Sequence, residues 1–321
     1  MSKWIEIDAI GGYPSLELGF GGGPLHGEAV RLNSARNGFE YILTAKRYRR
    51  VYLPLYTCDA MFEAPRKLGI EILFYHIGLD LEPTELPVLD LDEAFVYTNY
   101  FGLKQDCVER LSVLYGKQLI VDDSQAYYAP ALPGIDTFYS PRKFFGVPDG
   151  GYLYTDKKLP EALPQAESSG RFQYLIKRIE YGAEAGYSDF RDAEKTLNHA
   201  PLQAMSRLTE SLLDSIDQKR TARIRQENYS ILQEALGESN RIHLKMDKDA
   251  VPMVYPFLIE DSSLRQRLID NKVFVATYWP NVKQVTTPGT IEYELTSNLI
   301  PLPIDQRYSS REMEMVLSII G

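Results

Sequence analysis

The chain is poor in the residues that build metal or disulfide sites. Of its 321 residues two are cysteine, Cys58 and Cys107, and four are histidine, His26, His76, His199 and His243. Neither cysteine has a CxxC partner and the histidines lack ligand spacing, so no metal is expected and the thiols should stay reduced, in a cytoplasmic protein. Basic residues are outnumbered, 35 Lys+Arg against 44 Asp+Glu, for a net charge of −9. That excludes the basic footprint of a nucleic-acid binder and the polybasic run that holds a chain to a membrane surface. No apolar run approaches the about 18 residues of a membrane span, and no N-terminal apolar region reads as a leader. Internal repeats and low-complexity tracts are absent too. Tyrosine is plentiful, at 22 residues, which suits a ring-stacking pocket and aromatic packing equally. The length allows one large domain or two modest ones.

The most informative stretch runs from Leu119 to Tyr152. Leu119-Ile120-Val121 reads as a buried parallel strand. Asp122, Asp123, Ser124 and Gln125 follow at its carboxyl end, where open α/β sheets bind ligands. A second strand, Ile135 to Tyr139, leads into Ser140-Pro141-Arg142-Lys143. Gly150-Gly151 precedes a third strand, Tyr152 to Thr155. An amine that forms a Schiff base must spend time neutral, and burial or a neighbouring cation such as Arg142 lowers a lysine pKa. An acid facing a pyridine nitrogen keeps it protonated, a hydroxyl near the lysine can bind phosphate, and a glycine pair lets backbone approach closely. Singly, Asp122 also fits a strand-end turn and Lys143 a solvated surface lysine. Together, in this order, they favour a pyridoxal phosphate site.

These residues resemble the DegT/StrS family of pyridoxal phosphate-dependent sugar aminotransferases, of the aspartate aminotransferase fold type I. Asp122-Asp123-Ser124-Gln125 matches the family's Asp-x-x-Gln, and Lys143 with Asp149-Gly150-Gly151 matches its lysine, acid and two glycines. The resemblance implies that Lys143 carries the cofactor as an aldimine, that Asp122 pairs with the ring nitrogen and that Gln125 contacts the phenolic oxygen. The family's phosphate serine lies five residues before the lysine. Here Phe138 holds that place and Ser140 lies three before. The family's Ser-Gly-Thr phosphate turn falls on Ser34-Ala35-Arg36, with Asn33 or Ser34 as helix N-cap. Pro54 to Thr57 matches a Pro-x-Phe-Thr segment, with Cys58 where an aromatic usually stacks on the cofactor. Asn198 matches an asparagine that reaches the neighbouring subunit's phosphate, although it also reads as a helix cap. A homodimer with shared sites is therefore implied.

The remaining pattern alternates strands (Val51–Pro54, Ile70–Tyr75, Ala94–Thr98) with helices (Thr57–Leu68, Lys104–Tyr115), as a mostly parallel sheet between helices requires. Residues 160–237 are mainly helical, with one long helix over 201–236 and Arg171, Lys177 and Arg178 on a solvated face. Strands at Val251–Ile259 and Val273–Ala276 and helices at Ser262–Asp270 and Ser309–Ile320 read as a smaller α/β domain, in which Leu299–Pro303 resembles the family's Leu-Pro turn before the last helix. The division expected is an N-terminal arm (1–30) that can fold over the site, a large cofactor-binding domain (31–238) and a small C-terminal domain (239–321). The implied activity is transfer of an amino group, from an amino acid such as glutamate, to a nucleotide-linked keto sugar. The alternatives are another acceptor or reaction on the same cofactor, or a non-catalytic binding protein.

Overall fold

The structure, a computed structural model, describes residues 12–321. In chain order its first half holds β1 (Val30–Leu32), α1 (Ala35–Lys46), β2 (Arg50–Pro54), α2 (Glu63–Leu68), β3 (Glu71–Tyr75), β4 (Glu93–Thr98), α3 (Gln105–Tyr115), β5 (Leu119–Asp123), β6 (Asp136–Tyr139) and β7 (Gly151–Tyr154). They form one seven-stranded sheet in the order β1-β7-β6-β5-β4-β2-β3. Strands β3, β2, β4, β5 and β6 run parallel, while β7 is antiparallel to both β6 and β1.

Side-chain alternation along these strands builds a core on each face. Leu119 and Val121 join Phe95 and Tyr97 on one side, and Ile120 joins Ala94 and Val96 on the other. A strand covered on both faces has no polar side to show, which is why Leu119-Ile120-Val121 reads as a continuous apolar run. Helix α1 closes the second face with Phe39, Ile42 and Leu43. Ser34 caps it by accepting the Asn37 N–H at 3.2 Å. Gly38 lets the helix lie on β6, because a β-carbon there would stand 2.9 Å from Phe138 Cβ.

The second half adds α4 (Gln173–Tyr181), α5 (Tyr187–Leu197), α6 (Arg207–Asp214), α7 (Gln218–Leu236), β8 (Val254–Leu258), α8 (Leu264–Asp270), α9 (Val282–Val285), α10 (Ile291–Asn298), β9 (Leu299–Pro303) and α11 (Ser310–Ile320). Among the described residues no helix is long and apolar enough to cross a membrane.

Several expectations are corrected. The helix expected over 201–236 is two, α6 and α7. Asp217 caps the second by accepting the Arg220 N–H at 2.9 Å, and a cap needs non-helical backbone where continuity was expected. Residues 273–276 form no strand. The partner of β8 is instead β9, the segment read as a turn, in antiparallel register from Val254↔Pro303 to Leu258↔Leu299. Its prolines are tolerated because each strand of a two-stranded sheet keeps an open edge. The helix expected from Thr57 begins as a single tight turn, Asp59–Phe62, before α2. Of the arm, residues 1–11 lie outside the described residues. The rest is pinned to the body by His26 and by a bond from Gly21 N–H to Asp214 O at 3.0 Å, and β1 begins at its end.

Candidate active site

The carboxyl ends of β4, β5 and β6 bring Thr98, Asp122 and Ser140 to one side of the sheet. Asp122 is buried there, with Oδ1 accepting the Ser124 N–H at 2.9 Å and Oδ2 accepting the Thr98 hydroxyl at 3.4 Å. The Lys143 amine donates to Ser124 Oγ at 3.0 Å. Acid and amine, from separate segments, are thus joined through one intervening residue. Gln125 is buried behind them. Its Oε1 accepts the Phe101 N–H at 2.9 Å, and its Nε2 has no partner among the described residues. Asp122, Ser124, Gln125 and Lys143 border a cavity of about 270 Å³ that also takes in Ser34, Ala35, Arg36 and Ser140. Small-molecule sites start at roughly 300 Å³.

Seven of the eight sequence-derived site residues therefore meet at one cavity: Ser34, Ala35, Arg36, Asp122, Gln125, Ser140 and Lys143. Asn198 does not. It lies exposed at the end of α5, away from the cavity of its own chain. Of the arm, the described residues 12–30 do not line this cavity within one chain.

The amino end of α1 is held against the lysine loop by the glycine pair. Gly150 N–H donates to Asn33 O at 2.7 Å. At Gly151 a β-carbon would lie 2.4 Å from the carbonyl carbon of Ser34, so only glycine lets these backbones touch. The close approach that the pair permits is thus to the 34–36 turn itself. Asp149, just before it, is fully buried and accepts from Ser168 Oγ at 2.6 Å, Ser206 Oγ at 3.0 Å and Arg171 Nη2 at 3.2 Å. Arg171 is therefore not on the solvated face assigned to it; its guanidinium turns inward to this carboxylate.

Lys143 is exposed along the cavity, while protein atoms surround its amine. Burial, reinforced by the Arg36 and Arg142 guanidiniums, pushes its amine below the usual lysine range against the pull of Asp122. Arg142 in turn pairs with Glu194 of α5. Ser140 reaches the same place through the tight turn Pro141–Lys143, its carbonyl accepting the Lys143 N–H at 3.3 Å. Phe138, at the family's serine position, packs into the core against Phe39.

Phe190 and Glu194, lining residues from α5, escaped the sequence reading. Tyr278 and Trp279 did not: Thr277-Tyr278-Trp279-Pro280 is the stretch the resemblance sets facing the substrate, with Trp279 open between domain packing and sugar stacking. Both rings form an aromatic wall from the segment after α8. Trp279 both faces the cavity and packs on Tyr56, with ring centroids 5.0 Å apart. The Asn281 amide donates to Thr57 O at 3.0 Å and ties this wall to the strand-end loop. Cys58 lines the cavity where an aromatic was the usual occupant, and burial pushes its thiol up. No local periodicity announces these contacts, which arise from packing between distant segments.

The geometry has counterparts among solved structures. The sequence matches no family model and no curated protein. DesV of S. venezuelae, solved in complex with a ketimine intermediate, aligns with 17% identity over 91% of this chain and 83% of its own, with a TM-score of 0.62. The chain has the fold of an aminotransferase. The same fold holds for the sugar aminotransferase CalS13 from Micromonospora echinospora, with 13% identity, 91% and 86% coverage and a TM-score of 0.58. A DegT DnrJ EryC1 StrS aminotransferase from Brucella abortus aligns with 13% identity, 91% and 84% coverage and a TM-score of 0.59. In this aminotransferase fold the mostly parallel sheet presents Asp122 and Lys143 from its strand ends.

Proposed function

We propose that the protein is a pyridoxal phosphate-dependent aminotransferase that moves an amino group from an amino acid, glutamate for preference, to a nucleotide-linked keto sugar. The observation that carries this reading is the Asp122–Ser124–Lys143 connection at the strand ends. The sugar aminotransferases that share the fold support it. The residues present fit the cofactor in three ways. A buried acid and a weakened amine border one cavity, a buried Gln125 N–H lies unused, and the amino end of the 12-residue helix α1 opens on the same space.

When bound, the cofactor supplies an electron-poor ring that stabilises negative charge on the carbon that loses its proton. The Asp122 carboxylate holds a proton on the ring nitrogen, and Gln125 offers its free N–H to the phenolic oxygen. Backbone N–H groups at the start of α1, with Arg36 and Ser140, hold the phosphate. Lys143 attaches the cofactor and, while neutral, takes and returns the substrate's proton, a role typically worth about 10²–10⁴-fold. Asn198 serves the site of a second copy in a homodimer. Lys143→Ala tests the reading. The folded variant should lose both the visible absorbance band of the cofactor-treated protein and all glutamate-dependent turnover. Wild-type absorbance and turnover in that variant would sink it.

A further inference from the structure

We propose that Glu194 of α5 is a positioning residue for the reaction: it pairs with the Arg142 guanidinium beside Lys143 and offsets its charge, and so sets how readily the lysine amine holds a proton. The inference rests on the cofactor reading above and extends it to a residue that lies outside every motif that reading uses.

Two guanidiniums, Arg36 and Arg142, stand near the Lys143 amine and favour its neutral form. Their carboxylate partners differ. Glu63 stays 3.7 Å from Arg36, is shared with the His199 N–H at 3.1 Å and does not line the cavity. Glu194 makes a direct hydrogen-bonded pair with Arg142 and borders the same cavity as Lys143. Phe190, one turn earlier on α5, borders it too, so this face of the helix is turned to the lysine.

Arg142 has few other partners. It precedes Lys143 in the tight turn Pro141–Lys143, and its side chain is 12% exposed. Its Nε is buried without a partner among the described residues. Asp149 lies near it but is engaged by Ser168, Ser206 and Arg171. Tyr174 of α4 lies near it too, and that hydroxyl donates to Val147 O at 3.0 Å. A buried guanidinium stripped of its counter-charge is strongly destabilised. The other acids of α5 are held by lysines, Asp189 by Lys177 and Asp192 by Lys195, both at 2.8 Å. Only Glu194 of that helix is turned to Arg142.

The sign follows from the charges around the amine, which are Asp122, Cys58, Arg36 and Arg142 with its partner Glu194. Without the Glu194 carboxylate the cations are in excess and the neutral amine gains. Without Arg142 the protonated amine gains. Without both, a neutral pair is lost and the two effects oppose.

The test is a pH titration of the visible band of the full-length, cofactor-treated protein. Glu194→Gln should lower its midpoint by about one pH unit, and Arg142→Gln should raise it. The double variant should lie between them, and Glu194→Asp, which keeps the charge, should recover most of the wild-type value. Asp192→Asn makes the same charge change on the same helix beside exposed Lys195, and should leave the midpoint unmoved. If Glu194→Gln does not fold, the double variant compared with Arg142→Gln should show the same downward step. A midpoint indifferent to Glu194, or moved as far by Asp192→Asn, overturns the proposal. Acetylation of Lys143 by acetic anhydride, followed against pH by mass spectrometry before cofactor is added, should give the same order of variants. That order with no visible band supports the role of Glu194 and counts against the cofactor reading alone. A visible band whose midpoint ignores Glu194 counts against Glu194 alone.

Discussion

Replacing Gly151 with alanine tests whether the glycine pair shapes the turn that faces the cavity. The new β-carbon would stand 2.4 Å from the Ser34 carbonyl carbon, 2.5 Å from its oxygen and 2.8 Å from Ala35 N. Carbon contacts are comfortable only at about 3.5–4.0 Å, so one backbone must retreat by roughly 1 Å. Such overpacking costs about 1–3 kcal/mol, and thermal unfolding should fall by a few degrees. The larger effect should appear in the cofactor. Displacing the start of α1 by that distance should weaken pyridoxal phosphate binding by about ten- to a hundredfold, followed by titration of the absorbance band. Gly170→Ala is the control, since a β-carbon there meets nothing within 4 Å, and it should match wild type in both measurements. If Gly151→Ala also binds and melts like wild type, the claim that this contact positions the 34–36 turn is wrong.

Asp122→Asn keeps an oxygen for the Ser124 N–H and turns its amide N–H toward the Thr98 hydroxyl, which can accept it, but removes the charge. It should still load the cofactor through Lys143 while turnover falls by about 10²-fold or more, and turnover within about twofold of wild type would remove Asp122 from its role. His26 supplies a pH test. It is buried among Tyr127, Tyr139, Tyr152 and Tyr154, its Nε2–H donating to Tyr127 O at 2.8 Å, and burial lowers its pKa to about 4. The unfolded chain takes up this proton near pH 6.5 and the folded one only near 4. Stability is therefore full above about 6.5 and is lost as pH falls from about 6.5 to 4, by about 3 kcal/mol. Denaturant titrations of His26→Phe should lack that component between these pH values, and identical pH curves for variant and wild type would refute it.

Much of the scaffold is legible in local pattern. Strand β5 announces itself because a strand buried on both faces must be apolar, and β4, buried at every residue, does the same. Strands β2 and β3 begin and end within a residue of the expected bounds. The cap at Ser34 and the acids after Val121 follow from the chemistry of element ends. The legible part stops where a segment's state depends on its partner. β9 read as a turn by its resemblance to the family's Leu-Pro turn, and only pairing with β8 makes it a strand, two prolines among its five residues notwithstanding. β1 is three residues long, too short to show a period, and exists through its pairing with β7.

The linear order of residues by itself determined which side chains could do chemistry: one lysine in a turn after a strand, one acid at the end of another, and glycines spaced to follow them. It could do so because backbone geometry ties residue type to strand ends, turns and caps over a few positions. Only the tertiary structure decided that Lys143 meets Ser124 beside Asp122, that Gly151 bears on Ser34, that Glu194 pairs with Arg142, and that Trp279 walls the cavity. Those contacts join segments far apart in the chain, and they are set by how layers pack and exclude volume, which no local pattern encodes.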